Sequence, residues 1–380
     1  MKEGWEYKKL GEVAFYSTNR IPSSSIDEKN YVGVDNLLKD RKGKIPSTVV
    51  PTEGNCISYE SGDILVGNIR PYLKKIWLAN SDGGASGDVL VIRTNNHQKL
   101  QSNFLYWVLA NDTFFQYNML HSKGAKMPRG NKVDILKYIV PIPSLSEQQH
   151  IVEELDLLCS IIEKKKAQLN ELDNLAQSLF YEMFGDNADC STKKIKDIAI
   201  VKIGPFGSSL HKSDYVSGGT PLINPIHMSE GKILPDENFT ITNEKKKELE
   251  TYLLQTNDII FGRRGDIGRC ALVTRKENGY LCGTGSLFVR FQVNINPIYC
   301  INYLSTRFVK DYLVQNAKGA TMLNLNSKII ENVPMLFPSL DLQNQFASKI
   351  EAIEHQKELT KQSIKEVETL FNSRMDYYFN

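Results

Sequence analysis

The chain has 380 residues, of which 41% are hydrophobic and 24% are charged, and its formal net charge is +2. This composition is typical of a globular protein of two or three domains, and it excludes a disordered or fibrous chain. Apolar runs are short, as in residues 104–110, and Lys2, Glu3 and Glu6 stand where a signal peptide would be apolar. We therefore expect a protein that neither spans a membrane nor is secreted.

The cysteines are scattered, without a Cys-x-x-Cys pair or a spacing typical of metal ligands. They are Cys56, Cys159, Cys190, Cys270, Cys282 and Cys300. This pattern is typical of free thiols in a reducing cytoplasm. We expect a cytoplasmic protein with no disulfide and no structural metal.

The charge is distributed unevenly along the chain. Residues 1–143 carry +5 and residues 186–338 carry +4, whereas residues 144–185 carry −5 and residues 339–380 carry −2. The excess in each of the two longer segments is modest, but its sign is that of a surface that meets phosphate.

The chain also repeats itself at an offset of 195 residues. The peptide Lys-Gly-Ala-Lys-Met at 123–127 returns as Lys-Gly-Ala-Thr-Met at 318–322, and ten of the 26 positions in 123–148 are identical at this offset. Residues 63–67 match residues 258–262 in the same way. The sequence therefore predicts two copies of one unit, each a variable block followed by a more constant tail.

Each block has the pattern of an irregular α+β domain. Strand-like stretches between Gly, Ser and Asn turns cover Asp88–Arg93, Ile259–Phe261 and Ser286–Arg290. One helical stretch per copy, at Phe104–Met119 and at Tyr299–Asn316, precedes the Lys-Gly-Ala loop. Strands and helices do not alternate as in βαβ units, so we predict no Rossmann domain.

The tails are predicted to form two long helices. Their starts are indicated by Pro143 and Pro338, and Ser144 and Glu147 have the spacing of a capping box. Apolar residues then recur at alternating spacings of four and three, as at the a and d positions of a coiled coil. The residues of this seam include Ile151, Leu155, Leu158, Ile162, Leu169, Leu172, Leu179, Ile350, Ile353, Ile364, Val367 and Phe371.

The seam has few polar interruptions: Lys165 in the first tail, and Lys357, Thr360 and Arg374 in the second. About 38 residues in a helix correspond to a length of roughly 55–60 Å. A globular block cannot cover so long an apolar stripe, so we expect the two helices to pair. The expected arrangement is antiparallel and pseudo-twofold, with one block at each end.

The strongest candidate for an active site is Asn296-Pro297-Ile298-Tyr299, which is one residue from the Asn-Pro-Pro-Tyr signature of adenine methyltransferases. The alternative is a proline at a helix start, because the equivalent segment of the first copy begins a helix. No nucleophile, base and oxyanion site is evident. We predict recognition without catalysis. A self-contained DNA adenine methyltransferase or nuclease, and a structural coiled-coil adaptor, are the alternatives.

Taken in order, these features resemble the specificity (S) subunits of type I restriction-modification systems, over essentially the whole chain. The matching stretches are Trp5–Val13, Gly62–Lys75, residues 141–149 (Pro-Ile-Pro-Ser-Leu-Ser-Glu-Gln-Gln), Gly204–Leu210 and Arg264–Arg269. The resemblance implies target recognition domains at 1–143 and 186–338, each reading one half of a bipartite site in double-stranded DNA. The central helix, 144–185, and the C-terminal helix, 339–380, would fix the spacer between the halves.

The same resemblance implies partners. Two methyltransferase (M) subunits would dock on the helices and blocks, and restriction (R) subunits would join them. S-adenosylmethionine, ATP and Mg²⁺ would bind to those partners, and no cofactor would bind to this chain.

Candidate DNA-binding residues lie in basic and polar loops. They are Asn68, Arg70, Lys74, Lys123, Gly124, Lys126, Arg129, Gly207, Ser208, Ser209, His211, Lys212, Arg263, Arg264, Arg269, Lys318, Gly319 and Thr321. The repeated Lys-Gly-Ala loops suit a phosphate contact, since glycine lets the backbone amide approach; the alternative is a capped turn that folding requires. Arginines that differ between the copies suit base contacts, because arginine bound to guanine is the most common specific contact; the alternative is surface ion pairing.

Overall fold

Packing divides the chain into two units, each with one globular block and a part of both tails. Unit 1 comprises Met1–Lys166 and Gln362–Asn380, and unit 2 comprises Ala167–Lys361. The domain boundaries that the sequence predicts near residues 143, 185 and 338 stay a prediction. The structure is a computed structural model, and it describes residues 2–185, 191–206, 209–317 and 324–380.

The block of unit 1 is built from short strands and helices, and the first long helix follows it. The strands are β1 (Glu6–Lys9), β2 (Ala14–Tyr16), β3 (Arg20–Pro22), β4 (Tyr31–Val32), β5 (Asn55–Tyr59), β6 (Ile64–Gly67), β7 (Ile76–Leu78), β8 (Gly83–Ala85), β9 (Val89–Thr94) and β10 (Ile139–Ile142). The helices are α1 (Leu10–Val13), α2 (Ser102–Ala110), α3 (Asp112–Leu120), α4 (Lys132–Ile135) and the long α5 (Leu145–Phe184).

These strands form an antiparallel sheet in the order β2-β9-β6-β7, a mixed sheet in the order β3-β5-β8-β4, and a separate β1-β10 pair. The first sheet lies between two apolar cores, because successive residues of a strand point to opposite faces. Ile64 and Val66 of β6 share a core with Phe104 of α2, whereas Leu65 shares a core with Tyr59 of the second sheet. With both faces covered, β6 is a continuous apolar run.

The block of unit 2 has the same plan, and the second long helix follows it. The strands are β11 (Ser191–Lys194), β12 (Ala199–Ile203), β13 (Tyr215–Val216), β14 (Thr220–Ile223), β15 (Met228–Ser229), β16 (Lys232–Ile233), β17 (Thr240–Ile241), β18 (Ile259–Gly262), β19 (Cys270–Leu272), β20 (Leu281–Cys282), β21 (Ser286–Phe291) and β22 (Pro334–Phe337). The helices are α6 (Asn243–Glu248), α7 (Pro297–Leu304), α8 (Arg307–Asn316), α9 (Ser327–Glu331) and the long α10 (Leu340–Phe379).

The main sheet of unit 2 has the order β12-β21-β18-β19, which matches β2-β9-β6-β7 of unit 1, and β11 pairs with β22 as β1 pairs with β10. The strands predicted at 88–93, 259–261 and 286–290 are confirmed as β9, β18 and β21. The predicted α+β class, the internal repeat and the two long helices are likewise confirmed.

A buried ion pair recurs in the two main sheets. Nε and Nη2 of Arg93 each donate to the Asp63 carboxylate at 2.7 Å, and Arg290 binds Asp258 at 2.8 and 2.6 Å. Asp63 is 2% exposed and Asp258 is 1% exposed, so each carboxylate depends on its arginine for charge compensation. Each pair ties the residue that precedes the inner strand to the neighbouring strand.

The sequence predicted one helical stretch at 104–119 and another at 299–316. This prediction is wrong in one respect, because each stretch forms two helices. Asn111 has an extended backbone, and its side chain accepts a hydrogen bond from the amide of Thr113, which caps α3. Thr306 caps α8 through the amide of Val309 in the same way. A side chain that caps a new helix competes with continuation of the previous one.

The two long helices have 40 residues each and run antiparallel within unit 1. Arg374 lies 2.7 Å from Glu154, and Lys166 lies 2.7 Å from Glu368, so rising residue numbers on α5 meet falling numbers on α10. Arg374 is one of the polar interruptions of the predicted seam. Its charge is balanced by an acid of the other helix.

The helices are antiparallel within unit 2 as well. Lys357, another polar interruption, lies 2.7 Å from Asp173, and the rings of Phe180 and Phe346 are 5.7 Å apart. Thr360, the third, is buried and donates its hydroxyl to the Gln356 carbonyl oxygen. The three polar residues in the second tail of the seam are therefore accommodated by ion pairs and by a backbone hydrogen bond.

In each unit the block contacts the end of a long helix. The rings of Phe104 in α2 and Phe379 near the end of α10 are 5.9 Å apart in unit 1. In unit 2 the ring of Tyr299 in α7 lies 5.0 Å from Phe184 at the end of α5 and 6.3 Å from Phe346 near the start of α10. Each copy thus completes its core with the helix that belongs to the other copy.

Candidate nucleic-acid interface

Three basic segments of unit 1 are joined by backbone hydrogen bonds into one surface, which we call the basic platform: residues 39–44, 67–75 and 123–130. Within the 123–130 loop, the amides of Lys123 and Arg129 bond to each other's carbonyl oxygens. The amide of Arg70 donates to the Pro128 carbonyl at 2.7 Å, which joins this loop to the β6–β7 turn. The amide of Arg41 donates to the Lys74 carbonyl at 3.0 Å, which adds the third segment.

The basic platform contains ten Lys and Arg residues and a single acidic residue, Asp40. Six of these cations are exposed: Lys39, Lys42, Arg70, Lys123, Lys126 and Arg129. Clustered exposed cations attract the phosphates of a nucleic acid, and neutralising those phosphates releases the counterions bound to them. The platform therefore has the electrostatic character of a surface that binds nucleic acid.

The backbone of the platform is strained at four residues. Asp40, Arg41, Arg70 and Lys74 have φ angles of 56°, 62°, 53° and 50°, in the left-handed region. A residue with a side chain is held there at a cost on the order of 1 kcal/mol, and such residues cluster at functional sites. Three of the four are cations, so the strain coincides with the charge.

The predicted cations of unit 1 fall into two groups. Arg70, Lys123 and Lys126 are exposed, and their side chains bind no other residue in the described part of the chain. Lys74 is bound by Asp112 at 2.9 Å, and Arg129 is bound by Asp88 at 2.6 Å.

Asn68 and Gly124 complete the predicted set in unit 1. Asn68 is 2% exposed, so its side chain lies inside the protein in this conformation. Its carbonyl oxygen accepts the amide of Gly130 at 3.0 Å, which ties the β6–β7 turn to the 123–130 loop. Gly124 has a φ angle of 97°, which explains the glycine in the turn of that loop.

In unit 2 the backbone contact of Asn68 is reproduced by Arg263, whose carbonyl oxygen accepts the amide of Leu325 at 2.9 Å. Its guanidinium donates to the carbonyl oxygens of Leu325 and Thr284 at 3.0 and 3.4 Å. Burial and the neighbouring Arg264 lower the pKa of Arg263. Arg264 is exposed, whereas Arg269 binds Asp266 and the Pro225 carbonyl. Arg264 is therefore the most accessible of the three predicted arginines.

Several predicted positions of unit 2 lie outside the described residues: Gly207, Ser208, Lys318, Gly319 and Thr321, together with the side chain of Lys212. The neighbouring positions are described. His211 is exposed and its amide donates to Asp214 at 2.7 Å, while the amide of Ser209 donates to the Phe206 carbonyl at 2.9 Å.

The residues of the predicted seam are all buried or partly buried. Those that are buried are Ile151, Leu155, Leu158, Leu179, Ile350, Ile353 and Ile364, and those that are partly buried are Ile162, Leu169, Leu172, Val367 and Phe371.

Asn296, the candidate methyltransferase residue, caps a helix. Its side-chain oxygen accepts from the amides of Ile298 and Tyr299, and its side-chain nitrogen donates to Asn344 at 2.9 Å. Tyr299 is fully buried and donates its hydroxyl to the Leu336 carbonyl. These contacts match the alternative of a proline at a helix start.

The sequence did not point to Lys39, Arg41 and Lys42 of the platform, or to Asp112, which pairs with Arg41 and Lys74. The available signal was the run Lys-Asp-Arg-Lys-Gly-Lys at 39–44.

A cleft of about 560 Å³ adjoins the platform, lined in part by Arg70, Lys75, Asp88 and Met127. Within the described ranges, no three or more His, Cys, Asp and Glu side chains form a possible metal site. The described helices include none that is both long and apolar enough to cross a membrane.

These features define a class of protein. The model of the family "Type I restriction modification DNA specificity domain" matches residues 2–174 and 187–369, so the chain belongs to this family. The resemblance inferred from the sequence is thereby confirmed.

Among its relatives, the chain is 27% identical over 190 residues to the EcoDI specificity subunit of Escherichia coli, a type I restriction enzyme, over 47% of this chain and 41% of that protein. It is 23% identical over 270 residues to the MjaIX specificity subunit of Methanocaldococcus jannaschii, over 66% of this chain and 62% of that protein. The matched regions thus span less than two thirds of these relatives.

Two solved structures share the fold over nearly the whole chain. One comes from work on complex assembly and conformational transition of the type I R-M system, with a TM-score of 0.66, 19% identity, and coverage of 100% of this chain and 98% of that one. The other is the S subunit of a type I restriction-modification system from M. genitalium, with a TM-score of 0.57, 13% identity, and coverage of 98% and 95%.

Proposed function

We propose that this chain is the DNA-specificity subunit of a type I restriction-modification assembly. The blocks at 1–143 and 186–338 are its target recognition domains, and each reads one half of a bipartite site. The observation that carries this proposal is the basic platform, with six exposed cations in three segments joined by backbone hydrogen bonds. Arg70 in unit 1 and Arg264 in unit 2 are the base-reading candidates that the folded chain leaves most accessible.

The long helices set the spacer between the two halves and bind the M subunits. Leu175 on α5 and Leu370 on α10 support the second role, since they occupy equivalent positions in the repeat and are 51% and 47% exposed. One belongs to unit 2 and the other to unit 1, which suits one M subunit for each copy. R subunits complete the assembly in the cytoplasm.

The chain recognises DNA and does not catalyse its modification. S-adenosylmethionine, ATP and Mg²⁺ bind to the partner subunits. Support comes from Asn296 and Tyr299, the one candidate methyltransferase pair, which are engaged in helix capping and core packing.

Methylated adenines mapped genome-wide, in cells with the M subunit and with or without this chain, test the proposal. We expect a split motif that requires the chain. Arg264→Ala should relax one half of that motif by about tenfold in preference, the effect of losing one base contact of roughly 1.4 kcal/mol. Arg275→Ala removes an exposed cation in the same block outside the candidate loops and is the matched control. Absence of any motif that depends on the chain would disprove the proposal.

A further inference from the structure

Asp112, the first residue of α3, binds two cations of the basic platform. Its carboxylate accepts hydrogen bonds from Nζ of Lys74 at 2.9 Å and forms an ion pair with the guanidinium of Arg41. Nε of Arg41 also donates to the Ala110 carbonyl oxygen at the end of α2. A single acid thus joins two platform segments, 39–44 and 67–75, to the α2–α3 junction.

The two cations that Asp112 binds would otherwise repel each other. Both have left-handed backbones, and the amide of Arg41 donates to the Lys74 carbonyl, so their charges lie close together. Burial and the nearby Arg41 lower the pKa of Lys74. The carboxylate between them offsets this repulsion and keeps the two segments in contact.

Lys74 ends the short turn that presents Arg70. The amide of Leu73 donates to the Arg70 carbonyl at 2.9 Å, and the amide of Lys74 donates to the Pro71 carbonyl at 2.9 Å. At its other end the turn is held by the bond from the Arg70 amide to Pro128. Fixing Lys74 therefore fixes the second end of the turn, which limits the directions that the exposed Arg70 side chain can take.

The second copy has no acid at the position equivalent to Asp112. Position 307, which is equivalent to Asp112, is Arg307, whose side chain is 88% exposed and pairs with Asp311 at 3.6 Å. The turn between β18 and β19 is one residue shorter than the turn between β6 and β7. It reaches its left-handed conformations with Gly265 and Gly268, at φ angles of 81° and 88°. Glycine needs no external anchor there, because it adopts positive φ readily.

α2, beside Asp112, is itself fastened to the long helices of unit 1. Nε1 of Trp107 donates to Asp156 of α5 at 3.0 Å, and its ring lies 5.7 Å from Phe371 of α10. Asp112 therefore holds the turn against the part of the block that is packed on the helix pair.

We propose that Asp112 is a positioning residue that sets the orientation of Arg70 and so determines base preference in one half of the DNA site only. This inference rests on the proposed function. Asp112 itself does not read a base. It acts through Arg41 and Lys74, and its counterpart in the second copy plays no such role.

The test uses the chain assembled with its M subunits and DNA duplexes that carry the mapped motif or a single changed base in either half. With Asp112→Asn we expect discrimination to fall about tenfold in one half and to stay unchanged in the other. Binding to unrelated DNA should become tighter, because Arg41 and Lys74 lose their counter-charge and become available to phosphate. Asp112 is half exposed, so the variant should fold, which its thermal unfolding checks.

Three further variants separate positioning from general damage. Arg41→Met should relax the same half, and combining it with Asp112→Asn should add little, because both changes break one interaction. Lys42→Met removes a neighbouring exposed cation outside the ion pairs, and it should weaken binding to every duplex without changing base preference. Arg307→Asn, at the equivalent position of the second copy, should leave both halves unchanged.

The possible failures are distinct. If the wild-type assembly shows no split motif, the proposed function itself is wrong. If the wild type has the motif and Asp112→Asn discriminates normally in both halves, or relaxes both halves equally, the positioning role of Asp112 is wrong.

Discussion

Gln148 occupies an interior position at the start of α5 where an apolar side chain would be more usual. Its side-chain nitrogen donates to the carbonyl oxygens of Lys99 and Pro143 at 2.8 and 2.9 Å, and its oxygen accepts the amide of Gln101 at 2.9 Å. Gln343 in unit 2 similarly bonds to the Pro338 carbonyl oxygen and the Asn296 amide. The repeat retains glutamine here because buried backbone groups need these partners.

Gln148→Leu should therefore destabilise the protein, although leucine is more hydrophobic. The change removes the side-chain partner of the Gln101 amide and of the Lys99 and Pro143 carbonyl groups, of which the Pro143 bond is buried, and we expect a loss of about 2–3 kcal/mol. Urea unfolding followed by circular dichroism measures it. Gln149→Leu, at the exposed neighbouring position, is the control and should change stability by less than about 0.5 kcal/mol. Equal effects of the two changes would contradict this account of Gln148.

At the scale of elements, the long helices combine an apolar seam with a few paired polar positions. Lys357 and Arg374 lie in the seam and are each matched by an acid on the opposite helix. Such pairs contribute little to affinity between helices, but they favour one register over its alternatives. The packing of leucine and isoleucine side chains therefore holds the helices together, and the ion pairs fix their register.

A charge placed in this seam should separate the helices. We expect Leu169→Asp to lower the free energy of unfolding by about 2 kcal/mol, because a partly buried leucine is replaced by a carboxylate. Sequence-specific methylation by the assembled complex should be lost as well. Asn170→Asp adds the same charge at the exposed neighbouring position, on a different face from Leu175, and should leave both properties unchanged. Normal methylation with Leu169→Asp would show that the seam does not set the spacing between the blocks.

The sequence predicted those elements whose residues recur with a helical or strand periodicity, or at the 195-residue offset of the repeat. Asp63 and Asp258 were found as equivalents because the same backbone position needs the same buried acid. The break at Asn111 was not found, since a capping side chain interrupts a helix without interrupting its apolar pattern.

The platform was only partly predicted, for a different reason. Arg41 and Asp112 are 71 residues apart and belong to loops without periodicity, so their pairing leaves no pattern in the sequence. Likewise, an arginine does not signal a left-handed backbone. Only the glycine at 265, equivalent to Arg70 in the repeat, hinted at the conformation.

At the scale of the whole molecule, the proposed assembly places M subunits on the outer faces of the helices. Leu370 and Leu175 should contribute to that contact, because exposed leucines at equivalent positions favour a shared partner surface. We expect Leu370→Asp to weaken association with M by roughly tenfold or more, as measured by titration of labelled M subunit. Its thermal stability should remain near that of the wild type.

Asn372→Asp, at an exposed position of α10 that lies roughly 160° around the helix from Leu370 and outside the predicted seam, provides a comparison for the effect of charge alone. Unchanged affinity for M with both Leu370→Asp and Leu175→Asp would show that these leucines lie outside the interface.

The division of unit 1 into two distant parts of the sequence affects how the chain is made. Its last part, Gln362–Asn380, follows the whole of unit 2, so the 195 residues from Ala167 to Lys361 are synthesised in between. At about 5–20 residues per second this interval lasts roughly 10–40 s. Meanwhile Phe104 and Trp107 lack their α10 partners, Phe379 and Phe371. The nascent chain therefore exposes an apolar surface while it is still on the ribosome. Chaperones that bind such surfaces should increase its yield.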